Sequence, residues 1–133
     1  MKRYHPAERY LPALLDLETA GVVPIRARLS DRFDASHPTV TANVLRLETS
    51  GYVRVGDDRV ITLTDDGRVL AMTLLRNMRV AERLLVALGV DHASVRVDAE
   101  QWGLVMSDDV AEALSDLLDE EIPCPFDHRS VSD

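Results

Sequence analysis

The side chains best suited to chemistry lie between residues 26 and 59, where short polar residues stand beside arginines. Hydroxyl and amide groups can reach the phosphates and base edges of DNA, and the methyl groups of Thr or Ala can touch thymine. Arginines suit backbone phosphates. The residues predicted to contact DNA are Arg26, Ala27, Arg28, Ser36, His37, Pro38, Thr39, Thr41, Ala42, Asn43, Arg46 and Arg59.

Within that set, Asn43 could form a bidentate pair with adenine. Arg26, Arg28 and Arg46 flank one predicted helix where phosphates would pass, and Arg59 stands on a predicted hairpin. Taken alone, these arginines are ordinary surface charges, and only their position around one helix-turn-helix favours DNA contact. An enzyme is not expected, because the chain has no nucleophile–base pair, no phosphate-cradling loop and no paired catalytic carboxylates.

The elements that must position these residues follow from hydrophobic periodicity and end signals. The predicted elements are helices over residues 10–19, 25–33 and 38–50, a hairpin over 52–63, and helices over 65–88, 93–106 and 108–121. Pro12 fits only in a first turn, so the first helix should begin near Leu11. Ser36 or His37 should cap the third helix. The residues of the second helix expected to face inward are Ala27, Leu29 and Phe33.

Three helices followed by a hairpin is the order of a winged helix-turn-helix. The predicted fold class is mainly α with a small β-hairpin wing, followed by a helical dimerisation region. The predicted domains are residues 1–64 for DNA binding, 65–122 for dimerisation and 123–133 for a tail. A homodimer is expected because the last helices carry more apolar residues than a small winged helix can cover. These residues are Val95, Leu104, Val105, Val110, Leu114, Leu117 and Leu118.

Charge is segregated along the chain. The formal net charge is -8, which at first argues against a nucleic-acid partner. Residues 22–59, however, hold six arginines against five acids, whereas residues 108–121 hold seven acids and no base. The acidic run is best interpreted as a solvated helix face. With one cysteine, Cys124, no signal-peptide core and no membrane-length apolar run, a soluble cytoplasmic protein is expected.

On several motifs the chain resembles the diphtheria toxin repressor and manganese regulator family of metal-dependent repressors. The motifs are Tyr10-Leu11, Pro24 to Leu29, His37 to Thr41, Leu47-Glu48-x-x-Gly51-Tyr52, Leu63-Thr64-x-x-Gly67-Arg68, Arg79 to Leu85 and Trp102-x-x-Val105 to Asp108. The resemblance covers nearly the whole chain, through Pro125. It implies a winged helix followed by a helical dimerisation and metal-sensing region, without the SH3-like domain of longer members.

The resemblance also implies where metal ligands would lie, and most of these positions are altered. The regulatory site would use Arg9, Glu100, Gly103 and Leu104, and the ancillary site would use Met78, Glu82 and Arg96. Transition-metal sites need three or more converging N, O or S ligands. No resident metal is therefore expected, with Glu82 and Glu100 as residual candidates. By resemblance alone, a divalent Fe, Mn, Co or Zn ion remains possible.

Each altered site pairs a retained carboxylate with a new arginine. Arg9 would meet Glu100, and Arg96 would meet Glu82, so ion pairs could replace the metals because a guanidinium supplies positive charge and bidentate donors. The alternative is decay of the sites, which leaves these charges in solvent. The histidines are scattered without helical spacing, and Cys124 and His128 form only a weak pair in the tail.

Three functions remain open from the sequence. The first is a dimeric transcription regulator, acting as a repressor on a palindromic operator in double-stranded DNA, with weakened or absent metal dependence. The second keeps a divalent metal as co-repressor through Glu82, Asp98, Glu100 or the tail. The third is a protein-interaction module with vestigial DNA binding, in which the acidic last helix pairs with another protein. The near-neutral charge of residues 22–59 disfavours the third.

Overall fold

The fold is mostly helical and divides into two units along the chain. A computed structural model describes residues 4–121, with side chains described to residue 119. The described chain separates into an amino-terminal unit of residues 4–75 and a helical unit from residue 76 onward. The elements are a 3-10 turn (Pro6–Arg9), α1 (Tyr10–Thr19), α2 (Arg26–Phe33), α3 (His37–Thr49), β1 (Val53–Val55), β2 (Ile61–Leu63), α4 (Asp65–Ala87), α5 (His92–Val105) and α6 (Asp108–Glu121).

The 3-10 turn is closed by its own side chains. His5 Nδ1 accepts a hydrogen bond from the Ala7 backbone N–H at 3.0 Å, and Glu8 Oε2 accepts one from the His5 backbone N–H at 3.2 Å. α1 then begins at Tyr10. Pro12 therefore lies in the first turn of α1, as predicted, where its missing N–H removes no helical hydrogen bond.

α2 and α3 form the helix-turn-helix. Asp34 ends α2 in the left-handed conformation, with a φ of 48°. Ser36 caps α3, since its hydroxyl oxygen accepts a hydrogen bond from the Thr39 backbone N–H at 3.3 Å. The expectation that Ala27 faces inward is wrong, because Ala27 is exposed. It lies two residues before the buried Leu29, which is about 200° around the helix, so the two side chains cannot share a face.

The predicted hairpin is confirmed as an antiparallel pair with Arg54 opposite Thr62. The Ile61 backbone N–H donates to the Pro24 carbonyl at 2.8 Å, which fastens the hairpin to the segment before α2. At the start of α4, a Cβ on Gly67 would lie 1.9 Å from the Tyr52 carbonyl oxygen, so only glycine fits there. The largest fully buried side chains of this unit's main core cluster are Tyr10, Leu11, Leu14, Leu29, Val40, Val44, Leu47, Val53 and Ile61.

The helical unit has its own core and a close approach between α4 and α5. A Cβ on Gly103 would lie 2.5 Å from Met78 Cγ and 3.1 Å from the Met78 backbone nitrogen. Arg83 Nη1 pairs with Asp119 Oδ1 at 3.0 Å. The core residues are Ala81, Leu85, Val95, Ala99, Met106 and Ala111. Among the described residues, no helix is long and apolar enough to cross a membrane.

The apolar residues expected to form a dimer surface divide into two groups. Those that are buried or half-buried in this structure are Val95, Leu104, Leu114 and Leu118. Those that remain exposed are Val105, Val110 and Leu117. The first group was misplaced because periodicity alone cannot distinguish a face that packs within the chain from one that awaits a partner. Val97 and Trp102 add exposed apolar surface on α5.

Candidate nucleic-acid interface

α3 turns one face into the core and leaves the opposite face in solvent. Val40, Val44 and Leu47 follow helical spacing and are at most 1% exposed. The predicted DNA-contacting residues that are exposed are Ala27, Arg28, Ser36, His37, Pro38, Thr39, Thr41, Ala42, Arg46 and Arg59, whereas Arg26 and Asn43 are half-buried. All twelve belong to the amino-terminal unit and lie on or beside α2, α3 and the hairpin, and their role as one DNA-contacting set stays a prediction.

The amino-terminal turn of α3 is organised by two hydroxyl groups. Ser36 Oγ donates to Thr39 Oγ1 at 2.9 Å, and the same Ser36 oxygen caps the Thr39 backbone N–H. His37 and Pro38 complete this exposed turn. The amino terminus of a helix presents backbone N–H groups and a partial positive charge, which suit a phosphate. The turn can therefore meet a DNA backbone while its cap stays in place.

Asn43, the residue predicted to pair with adenine, makes a hydrogen bond within the protein. Its Nδ2 donates to the Tyr10 hydroxyl at 3.1 Å, and its side chain is half-buried. Bidentate pairing with adenine needs both the amide nitrogen and the amide oxygen at the base edge. In this structure the amide nitrogen donates one hydrogen bond to Tyr10, so Asn43 connects α3 to α1, and its contact with adenine stays a prediction.

The arginines differ in their surroundings. Arg28 and Arg46 are exposed on α2 and α3. Arg26 is half-buried, and its buried Nε finds no hydrogen-bond partner among the described residues. Arg59 lies at the tip of the hairpin with a φ of 67°, and its backbone N–H donates to the Gly56 carbonyl at 2.9 Å. The tight turn thus holds this arginine at the edge of the wing, where a backbone phosphate could reach it.

Glu8 is coupled electrostatically to α3. Burial raises the pKa of Glu8, while the hydrogen bond from the His5 backbone and the positive charge of Arg46 lower it in part. The positive charge of Arg46 thus acts on Glu8, although no ion pair joins the two side chains among the described residues.

Leu45 is a surface residue of α3 that is absent from the predicted DNA-contacting set. Its side chain is 59% exposed. It follows the buried Val44 by one residue, which is about 100° around the helix, so it points away from the core. The signal that could have identified it was the helical position of a large apolar residue outside the buried stripe. Because Leu carries no hydrogen-bonding group, a search for polar DNA-contacting groups overlooks it.

The first position matched to a metal ligand is occupied by a cation. The guanidinium carbon of Arg9 lies 4.8 Å from the centroid of the Phe33 ring, and the Tyr10 ring lies 4.8 Å from the same ring. Arg32 approaches Phe33 as well, at 5.9 Å. The negative face of an aromatic ring attracts a guanidinium. Arg9 is therefore held by its own unit, and its positive charge would repel a metal ion.

In the helical unit, Glu82 and Glu100 keep carboxylates, but three other matched positions offer no strong ligand. Gly103 has no side chain and lies against Met78, and Leu104 is buried. A cation needs three or more donor atoms within about 2.0–2.3 Å, and these three residues offer only one weak thioether donor. Within residues 4–119, no group of three or more His, Cys, Asp or Glu side chains could hold a metal. The residues at these positions do not fit a transition-metal ion.

Of the two predicted replacement ion pairs, one lies within a single unit and the other would join residues of different units. Glu82 and Arg96 belong to the helical unit, both are exposed, and the ion pairs found among its described residues do not join them. Arg9 and Glu100 belong to different units, so their pairing stays a prediction. Glu100 is half-buried. Cys124 and His128, the weak pair in the tail, lie outside the described residues.

Two family models match the chain in succession. Residues 4–61 match the iron dependent repressor N-terminal DNA binding domain, and residues 64–130 match the iron dependent repressor metal binding and dimerisation domain. Together they cover both described units. The division at residue 75 falls inside α4, whereas the models meet near its start.

Individual relatives come from the same family as the two matching family models. The iron-dependent repressor IdeR of Mycobacterium tuberculosis is 44% identical over 120 residues, which is 90% of this chain and 52% of that protein. The diphtheria toxin repressor of Corynebacterium diphtheriae is 42% identical over 90% of this chain and 53% of that protein. The structure of the manganese regulator SloR matches with a TM-score of 0.79 at 25% identity, over 90% of this chain and 56% of that chain. The chain thus spans about half the length of these relatives.

Proposed function

Because the chain belongs to the iron-dependent repressor family, in which regulation of transcription rather than enzymatic activity is the function, we propose that it is a dimeric repressor that binds a palindromic operator without requiring metal. The observation that carries DNA binding is the exposed face of α3. There Ser36, His37, Pro38 and Thr39 form a capped amino-terminal turn with Arg46 on the same helix. Helices of this kind place their first turns in the major groove.

Support for dimerisation comes from exposed apolar side chains in the helical unit. Val97, Trp102 and Val105 of α5 are 58%, 40% and 46% exposed. Burying such side chains against a second copy stabilises a dimer. A twofold dimer would space two recognition helices about one DNA turn apart, which matches a palindromic operator. Light scattering that shows a monomer at micromolar concentration would contradict the dimer.

Support for metal independence comes from the occupants of the matched ligand positions. Arg9 adds a positive charge, Gly103 supplies no donor, and Leu104 is apolar and buried. A fixed arrangement that needs no ion is consistent with the stacking of Arg9 on Phe33 at 4.8 Å. The Arg9–Glu100 ion pair remains part of the proposal. If it forms away from water, Glu100→Gln should weaken operator binding, and Arg9→Met combined with Glu100→Gln should lose less than the sum of the singles.

The second candidate is a divalent-metal-dependent repressor with a rearranged site. It is favoured by the relatives themselves, since IdeR is an iron-dependent repressor and SloR a manganese regulator. Glu82 and Glu100 are the retained carboxylates that such a site would use. Metal would then have to recruit ligands beyond the matched positions.

One titration separates the two candidates. A duplex selected by the wild-type chain from a random-sequence pool is labelled, and its binding is followed by fluorescence anisotropy with EDTA and after addition of Fe²⁺ or Mn²⁺. Metal independence predicts the same affinity in both conditions and a steep loss of affinity with rising salt. Binding that EDTA abolishes and a divalent ion restores would establish the second candidate. The absence of any salt-dependent binding would contradict both.

A further inference from the structure

We propose that Leu45 is a specificity-determining residue that packs against thymine methyl groups in the major groove, at the end of an apolar strip formed with Pro38 and Ala42. The inference rests on the proposed function, because it requires α3 to be the helix that enters DNA. It assigns sequence discrimination to apolar contacts on α3 and removes it from the amide of Asn43.

The strip lies on the outer face of α3. Pro38, Ala42 and Leu45 are four and three residues apart, a spacing that places side chains next to one another on one side of a helix. All three are exposed, and Leu45 most prominently, with 59% of its surface in solvent. The buried residues Val40 and Val44 occupy the opposite side. The strip therefore faces away from the protein's own core.

The chemistry of the strip matches one feature of the groove. Among the major-groove edges of the bases, the C5 methyl of thymine is the group that accepts apolar contact. A large apolar side chain that is solvated in the free protein gains free energy when it covers such a methyl. Asn43, the one residue of α3 suited to bidentate hydrogen bonding with adenine, already donates to the Tyr10 hydroxyl at 3.1 Å.

The charge around the strip favours DNA as the occupant over another apolar protein surface. From His37 to Leu47, α3 contains no acidic residue. Its first acid, Glu48, accepts a hydrogen bond from the Val55 backbone N–H at 3.2 Å and so is held towards β1. Arg46, next to Leu45, is exposed. An apolar strip bordered by a cation and free of carboxylates suits a groove between two phosphate backbones.

The test removes the methyl group and the leucine separately and together. The full chain first selects a duplex from a random-sequence pool, and each thymine of that duplex is then replaced singly by deoxyuridine, which lacks only the C5 methyl. For the wild-type chain we expect at least one replacement to weaken binding about three- to five-fold, the value of one buried methyl-sized group. For Leu45→Ala, the same replacement should change affinity by less than about 1.5-fold.

Two matched variants serve as controls. Leu45→Met keeps apolar surface and should retain the sensitivity to deoxyuridine. Val69→Ala removes a 66% exposed apolar side chain from α4 in the same unit and should bind every duplex as the wild type does. Because Leu45 is exposed, the thermal unfolding of Leu45→Ala should match that of the wild type. Its salt dependence should also be unchanged, since no charge is lost.

The outcomes separate failure of the inference from failure of the proposed function. If Leu45→Ala binds as tightly as the wild type, or loses affinity equally on thymine and deoxyuridine duplexes, Leu45 does not read methyl groups. The same conclusion follows if the wild type ignores every deoxyuridine replacement. In those cases, salt-dependent binding by the wild type still supports a DNA-binding regulator. If the wild type binds no duplex in a salt-dependent way, the proposed function fails, and the inference fails with it.

Discussion

The amino-terminal unit and the helical unit differ in how much of their family's chemistry they can supply. On α3, the exposed residues Ser36 to Thr39 and Arg46 still suit DNA. In the helical unit, the matched metal positions hold Gly103 against Met78 and a buried Leu104. A DNA surface sums many weak contacts and survives single changes. A metal site needs several donors at once, so it is more sensitive to substitution.

An altered ligand position can also be reused within its own unit. Arg9 matches a ligand position, yet its guanidinium packs on Phe33 at 4.8 Å, and Arg32 lies over the same ring at 5.9 Å. Cation–π contacts of this kind contribute on the order of 0.5–1 kcal/mol when exposed and more when dry. The amino-terminal unit therefore gains a contact of its own where the family pattern would place a metal ligand.

The largest effect should come from the arginines of the DNA-facing unit. Arg28→Ala together with Arg46→Ala should lower operator affinity on the order of 10²-fold, because each loses a charge-assisted phosphate contact. The slope of log affinity against log salt should fall by about two. Fluorescence anisotropy at several salt concentrations measures both. The control is Arg96→Ala, which removes an exposed arginine of the helical unit. An equal loss of operator affinity in this control would contradict a specific role for the arginines of the amino-terminal unit.

A second test probes the close approach in the helical unit. Gly103→Ala should destabilise the protein by about 1–3 kcal/mol, because its Cβ would meet Met78 Cγ at 2.5 Å. Chemical denaturation gives the free energy of unfolding. Met78→Ala combined with Gly103→Ala should lose less stability than the sum of the two single variants, since the crowded Met78 Cγ is removed. A fully neutral Gly103→Ala would mean that the helices are loose enough to admit side chains at this position.

A third test asks whether Asn43 supports the scaffold or reads bases. Asn43→Ala should cost about 1 kcal/mol of stability, the usual value of one hydrogen bond, while the base preference selected from a random pool stays the same. Tyr10→Phe with Asn43→Ala should show a positive coupling in a double-mutant cycle. If Asn43→Ala instead lost its preference for adenine at one position of the duplex and kept its stability, Asn43 would be a residue that contacts a base.

The smallest effect concerns Glu8. Because burial raises its pKa, the charged form costs stability at neutral pH, and this cost disappears as pH falls through the folded-state pKa. Glu8→Gln keeps an acceptor for the His5 N–H and removes the charge, so it should raise the free energy of unfolding at pH 7 slightly, by less than about 1 kcal/mol, as measured by chemical denaturation. The difference from wild type should vanish towards the unfolded-state pKa of Glu, about 4.3. If the two proteins differed more in free energy of unfolding at acidic pH than at pH 7, the pKa of Glu8 would not be raised by folding.

Most helix and strand limits could be predicted because their signals act over a few residues. The Ser36 cap lies three residues from the N–H that it binds, and a glycine with positive φ, Gly51, follows α3. The α3 stripe of Val40, Val44 and Leu47 repeats at helical spacing and is buried as the period requires. The inward placement of Ala27 failed because one short helix gives too few apolar residues to define a face.

Residue types and their spacing were enough to predict the winged helix-turn-helix order and a set of arginines on α2 and α3. The family resemblance was needed to indicate that Arg9, Gly103 and Leu104 stand at metal-ligand positions. What those side chains contact became known only from the packing of the helices. Asn43 meets Tyr10 across 33 residues, and Arg9, just before α1, meets Phe33 at the end of α2. Contacts between residues so far apart depend on how whole helices pack, whereas caps and periodicity depend only on near neighbours along the chain.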